Sequence, residues 1–224
     1  MGKNKKTQNK QRARKTRGQQ VSGTQSGPVM AMMGVGRVPS FLRSNDDVVH
    51  AKFGGVFVAI DRSIGLANYL MQLSCNNNYA SGYVGLGSVC TGIASFGGLY
   101  SKFMIGNLKV SVKGISPITS QGYAIVNYEP DSSGISNPPT LVGDVANARH
   151  KCVATPAVSA GFSVPVHTYY NDWKQTSADA TGSSDSEVQC GVLQILGSNL
   201  GAIGDPVVMV EIEVDAWFTG YRKL

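Results

Sequence analysis

Residues that carry chemistry are scarce in this chain, and their spacing excludes more than it suggests. Only three histidines occur in 224 residues, His50, His150 and His167. His150 and Cys152 would share one face of a strand, but no second pair such as Cys-x-x-Cys stands nearby to complete a metal site. The four cysteines, Cys75, Cys90, Cys152 and Cys190, are scattered without close spacing. A chain of this length can build a core without disulfide staples, so the expected compartment is reducing. Cys90 lies between glycines in "GSVCTG", and with His50 or His167 and an aspartate it would make a hydrolase site. The string matches neither Gly-x-Ser-x-Gly nor a cysteine-nucleophile signature, so a structural thiol in a Gly-rich loop is expected.

Phosphate-binding and membrane signals are also missing. "GVGRVPS" and "GLGSVC" lack the third glycine of a dinucleotide fingerprint and the Gly-Lys-Ser/Thr of a nucleotide loop. No stretch approaches 18 apolar residues, and no apolar run of signal-peptide length follows the charged start, so neither membrane spanning nor secretion is expected. Met1-Gly2 resembles the start of a myristoylation site, but Lys6 stands where Ser or Thr is needed and Thr7 comes one place late.

What is present is charge gathered at one end. "MGKNKKTQNKQRARKTRGQQ" carries eight cations, Lys3, Lys5, Lys6, Lys10, Arg12, Arg14, Lys15 and Arg17, and no acid. The whole chain has 20 basic and 14 acidic residues, so 12 basic residues face 14 acidic ones beyond the tail. The formal charge of +6 therefore describes a polycation attached to a nearly neutral body, and an anionic partner is expected for the tail alone. Residues 1–28 lack the apolar content that would offset the entropy of ordering them, so a disordered arm is expected there. Its cations alternate with uncharged polar residues, which suits phosphates in many geometries and reads no base edge. Single-stranded RNA is the expected partner, bound without sequence preference. A nuclear or nucleolar address, or a solubilising tail, is the plainer reading of the same residues, and both are compatible with RNA binding.

Residues 29–47 form a Gly, Pro and Met-rich linker without a helical or alternating period, expected to pack against a neighbouring subunit. From residue 48 to 224 the texture is that of one β domain. Runs rich in Val, Ile, Tyr and Phe are bounded by Gly, Pro, Asn, Asp and Ser. Eight strands are expected, at 48–60, 68–75, 103–115, 122–130, 150–155, 161–170, 187–196 and 206–218. Leu108, Val110 and Val112 alternate with Lys109, Ser111 and Lys113, and Val208, Val210, Ile212 and Val214 alternate with Glu211, Glu213 and Asp215. Such alternation marks half-buried antiparallel strands. Helix is expected only as a turn or two within 95–105 and a short helix after the prolines in 137–150. The 27 glycines suit many tight turns, and no repeat of 20 to 50 residues recurs. The fold class is all-β, a sandwich or barrel. "HTYYNDW" gathers Tyr169, Tyr170 and Trp173 around Asp172 instead of cations, which suits core or interface better than a base-stacking platform. "YEPDSSG" sets Glu129 and Asp131 two apart after a strand, where carboxylates can serve calcium. Further oxygens would have to come from Asp144, Asp172, Asp205 or a neighbouring chain, and solvated turn acids are the plainer reading.

The order of these elements resembles the coat proteins of small icosahedral plant RNA viruses of the tombusvirus and sobemovirus type. The resemblance rests on Leu99, Tyr100 and Phe103, then Pro117, Thr119 and Gly122, then Tyr128, Glu129, Asp131, Pro138 and Pro139. The closing "GVLQILGSNLGAIGDPVVMVEIEVDAWF" is similar to the last two strands of that family, and the likeness spans about residues 65 to 218. It implies an eight-stranded jelly-roll sandwich behind an internally directed basic arm, many identical copies in a shell, packaged single-stranded genomic RNA, no enzymatic turnover and a virion location. Assembly would take place in the host cytoplasm, with nuclear or nucleolar transit as the tail's other implication. The chain ends soon after the last strand, which suits small coats such as those of satellite viruses or ourmiaviruses, without a protruding second domain. Calcium-binding relatives hold ions between subunits with acids after the same strand, which here are Glu129 and Asp131. Glu129 stands where the family has Asp, and the acid spacing differs. Left open is a non-capsid viral RNA-binding protein, such as a movement protein or silencing suppressor, acting as a small oligomer.

Overall fold

The computed structural model describes residues 32–34, 48–60, 66–76, 79–80, 82–115, 122–131, 137–146, 148–176, 185–198 and 205–221. In chain order the elements begin with β1 (Met32–Gly34), β2 (Val49–Ile60), β3 (Leu66–Gln72), β4 (Tyr79–Ala80) and β5 (Tyr83–Gly85). Then follow α1 (Leu86–Val89), α2 (Thr91–Leu99), β6 (Tyr100–Gly114), β7 (Tyr123–Glu129), α3 (Val142–Ala146), β8 (His150–Ala154) and β9 (Ala160–Val164). A 3-10 turn at Val166–Thr168, β10 (Lys174–Gln175), α4 (Asp185–Val188), β11 (Val192–Ser198) and β12 (Pro206–Tyr221) complete the described chain.

Two sheets face each other. One runs β1-β2-β12-β6, with β9 and β10 both pairing along the far side of β6; the other runs β4-β5-β3-β11-β7-β8. All eight expected strands are present, as β2-β12-β6-β9 in one sheet and β3-β11-β7-β8 in the other. The eight strands alternate between the sheets except at β7–β8, a pair within the second sheet, which is the order of a jelly roll. The four extra strands are short and lengthen the sheet edges.

Several expected boundaries shift for identifiable reasons. The strand expected to run to Tyr170 stops at Val164, because Pro165 has no N–H for a ladder and the 3-10 turn begins at once. The strand expected from Glu187 starts only at Val192; α4 takes the earlier residues, and Gly191 turns the chain at φ +91°. The helix expected within 95–105 lies earlier, over Thr91–Leu99, and Tyr100 already belongs to β6. The short helix after the prolines is present as α3.

Alternation in sequence becomes two-faced strands. Leu108, Val110 and Val112 of β6, with Val208, Val210, Ile212 and Val214 of β12, are buried against the second sheet. On the outward face Lys109 meets Glu213 at 2.8 Å and Lys113 meets Glu211 at 2.7 Å. These exposed pairs set charge balance and add little stability. Phe218 is buried within an aromatic cluster of the core, with ring centroids 5.1 to 6.5 Å from Phe53, Phe96, Tyr100 and Phe103. Phe96 reaches it from α2, which with α1 closes the gap between β2 and β5. That closure is tight: a Cβ on Gly55 would run into the Val89 carbonyl and the Cys90 sulfur.

Between Asp215 and Ala216 the β12–β6 register shifts, leaving Gly106 as the extra residue of a bulge. A side chain at Gly106 would occupy the space of the Trp217 ring, so Trp217 packs across the bulge only because this residue is glycine. His167 Nδ1 lies 2.8 Å from the Gly106 carbonyl, partnering a group the bulge takes out of the ladder.

Candidate functional site

The eight cations from Lys3 to Arg17 lie outside the described residues, as does most of the linker at 29–47. Within that linker Met32–Gly34 forms β1, antiparallel to β2, with Met32 opposite Lys52 and Gly34 opposite His50. The part of the linker that is described thus adds to the edge of the body's own sheet.

The outward face of that sheet is nearly balanced in charge. It carries Lys52, Lys102, Lys109 and Lys113 against Glu211, Glu213 and Asp215, an excess of one positive charge, with two lysine–glutamate pairs closed across strands. Such a surface offers a polyanion little net attraction. At its far end His50 contacts Asp215 through Nε2 and stacks on Trp217 at 5.2 Å. Trp217 in turn packs with Met104, Val48 and Trp173. Sequence inspection did not bring these residues together; the signal was the cross-strand register, in which His50 lies opposite Trp217.

Of the other "HTYYNDW" residues, the two tyrosines are part of the packing expected of core or interface, while Thr168, Asn171 and Asp172 are exposed. Tyr169 and Tyr170 pack half-buried against the main cluster. His150 Nε2 lies 2.6 Å from the Tyr169 hydroxyl, so that ring has an ordinary hydrogen-bond partner. Tyr170 donates its hydroxyl to the Pro130 carbonyl, and the Lys174 ammonium sits 4.6 Å from the centroid of its ring. Burial, and then the Asp131 carboxylate, push the Tyr170 hydroxyl above its usual range.

Tyr170 therefore stands beside the acids singled out in the sequence. Glu129 ends β7 half-buried, Asp131 is exposed, and the Asp131 N–H donates to Glu129 Oε1 at 3.4 Å. Asp172 and Asp205 are exposed, and the side chain of Asp144 lies outside the described residues. Among the described residues no three His, Cys, Asp or Glu side chains gather closely enough to hold a metal ion. Calcium takes six to eight oxygens, so the two carboxylates alone do not make a site, and no other described His, Cys, Asp or Glu side chain joins them.

The cysteines are core residues. All four are free and buried. Cys90, expected as a half-buried structural thiol in a Gly-rich loop, is buried more deeply, 1 % exposed, at the junction of α1 and α2. Burial pushes the thiols of Cys90 and Cys190 up to about 12 and that of Cys75 higher still. A thiol held neutral is a poor nucleophile, which removes the physical basis for a Cys90 hydrolase. The folded values lie above the ordinary 9.0, so stability is full below pH 9 and is lost as the pH rises through the folded values. Urea midpoints are expected to stay level up to about pH 9 and then fall, less steeply for Cys90→Ala, while native thiols stay unreactive towards a disulfide reagent at pH 8. Fast labelling of folded protein would contradict this.

No protein-family model and no curated protein matches the chain. Solved structures do. The structure of Tobacco necrosis virus aligns with a TM-score of 0.64 at 11% identity, covering 88% of this chain and 90% of that one. Cocksfoot mottle virus gives 0.61 at 8% identity over 79% of this chain and 97% of that one. Melon necrotic spot virus gives 0.60 at 16% identity over 79% of this chain. This chain spans little more than half the length of the Melon necrotic spot virus and Cucumber necrosis virus chains it matches, 56% and 57%. The chain has the jelly-roll fold of these plant-virus capsid chains.

Proposed function

We propose that this protein is a viral coat protein, which assembles in many identical copies into a shell and packages single-stranded genomic RNA through its basic N-terminal arm. The observation that carries the reading is the alignment with Tobacco necrosis virus over 88% of this chain and 90% of that one. Ahead of that fold stand eight cations without an acid, attached to a body of nearly balanced charge. The arm, residues 1–28, gathers phosphates; the linker, residues 29–47, packs between subunits; the sandwich from residue 48 supplies the wall. No catalytic step belongs to this reading, and the buried thiols agree with that.

Each arm alone binds weakly at physiological salt. Many arms projecting from one scaffold onto one polymer bind strongly, because every contact after the first is effectively intramolecular. Purified full-length protein mixed with single-stranded RNA should therefore give closed particles by negative-stain electron microscopy. Folded protein that stays monomeric or stops at small oligomers with RNA would overturn the reading and favour a movement protein or silencing suppressor.

A further inference from the structure

Three of the nine large apolar side chains exposed among the described residues lie on one strand: Val56, Val58 and Ile60, at 55%, 41% and 39% exposure on β2. They alternate with the core residues Phe57 and Ala59, so this half of β2 is apolar on both faces. Among the described residues the strand also has an open edge. β12 pairs along one side of β2 from Val49 to Ile60, whereas β1 covers the other side only at His50, Ala51 and Lys52. The α1–α2 corner presses on Phe53 and Gly55. Among the described residues no strand pairs with that side of β2 from Phe53 onward. Edge strands are ordinarily guarded by lysine, proline or an inward charge, and "FGGVFVAI" contains none of these.

We infer that the Val56–Ile60 edge of β2 pairs antiparallel with the same edge of a second copy, across a two-fold axis at Val58. The inference rests on the shell-forming reading and names one of its contacts. A two-fold requires the two strands to run antiparallel and each residue pair to occur twice. With the axis at Val58, Val58 faces its own copy, and Val56 and Ile60 face each other on both sides. All three exposed side chains then form β-branched cross-strand pairs. Moving the axis to residue 57 would leave Ile60 opposite Gly54, and a one-residue slip would set outward valines against core-facing positions. Behind the joint, half-buried Met209 stands beside Val58, and Glu211 beside Val56 is already held by Lys113, so no unpaired charge is covered. A five-residue joint is weak for an isolated pair and adequate in a shell, where many such contacts act together.

The test uses full-length protein with single-stranded RNA and Val58→Cys, an exposed position at which the change should leave the fold intact. The native thiols are all buried, so background cross-linking is low. Mild oxidation of assembled particles should convert most Val58→Cys subunits to covalent dimers on a non-reducing gel, reversed by dithiothreitol. Val56→Cys alone should give almost none, but Val56→Cys mixed with Ile60→Cys should give dimers, which reads out the register. Normal particles without a Val58→Cys dimer would overturn the inference and leave the shell reading standing. Absence of cross-link together with amide protection at 56–60 that vanishes on deleting residues 1–31 would overturn it too, assigning the edge to the arm. Failure of the unmodified protein to form any particle, scored separately, would remove the shell reading and this inference with it.

Discussion

Deleting residues 1–20 is expected to leave a folded sandwich that forms empty or smaller particles, or none, and carries almost no RNA. The reason is where the charge sits. All eight cations of the tail go, and the 12 basic residues that remain are outnumbered by 14 acids. The outward face of the β2-β12-β6 sheet spends two of its lysines on glutamates 2.7 and 2.8 Å away, so it offers no substitute. For the full-length chain, eight phosphate contacts on single-stranded RNA predict a slope of log K against log salt of about −5 to −6 per arm. The truncated chain should show a slope near zero. The measurements are nucleic-acid absorbance of purified particles and a salt titration of binding. Full RNA loading by the truncated protein would contradict the assigned role of the arm.

The fold was legible in the sequence wherever a strand is buried on one face only. Alternation in "LKVSVKG" and "VMVEIEV" gave the two central strands and their inward residues, because a period of two maps directly onto the faces of a sheet. It failed where local chemistry overrides periodicity. Pro165 and Gly191 cut two expected strands short, and the helix before β6 starts earlier than its apolar residues suggested. The exposed stripe on β2 was hidden for the opposite reason. "VFVAI" reads as a fully buried strand, and only the topology makes β2 a near-edge strand whose outward valines meet solvent.

The candidate site divides along the same line. Lone residues could be weighed in the sequence, and the structure agrees that the cysteines and His150 have ordinary core or hydrogen-bonded environments. Constellations were not legible, because they arise from register between distant strands. His50 reaches Asp215 across 165 residues, and Tyr170 reaches the Pro130 carbonyl across 40. The arm is the contrary case: its reading depends on composition alone, which is why the sequence speaks for it directly.

Phe218→Ala should be the most damaging single change in the sandwich, costing about 3–5 kcal/mol. Its ring has no exposure and touches aromatic partners from β2, α2 and β6, so truncation empties the point where both neighbouring strands and the closing helix meet. Close-packed neighbours cannot relax into that space, and the loss of transfer energy is joined by the cost of the cavity. Against a total stability of roughly 5–15 kcal/mol, this should lower the melting temperature by about 10 °C or more and deplete the folded subunits available for assembly. Tyr221→Ala supplies the contrast. That residue is the last of the same strand, is 62% exposed and meets Tyr100 edge-on at 5.7 Å, so its loss should stay within about 0.5 kcal/mol. Calorimetry on both variants decides the matter. Equal losses would mean that the aromatic cluster around Phe218 does not hold the two sheets to their closing helix.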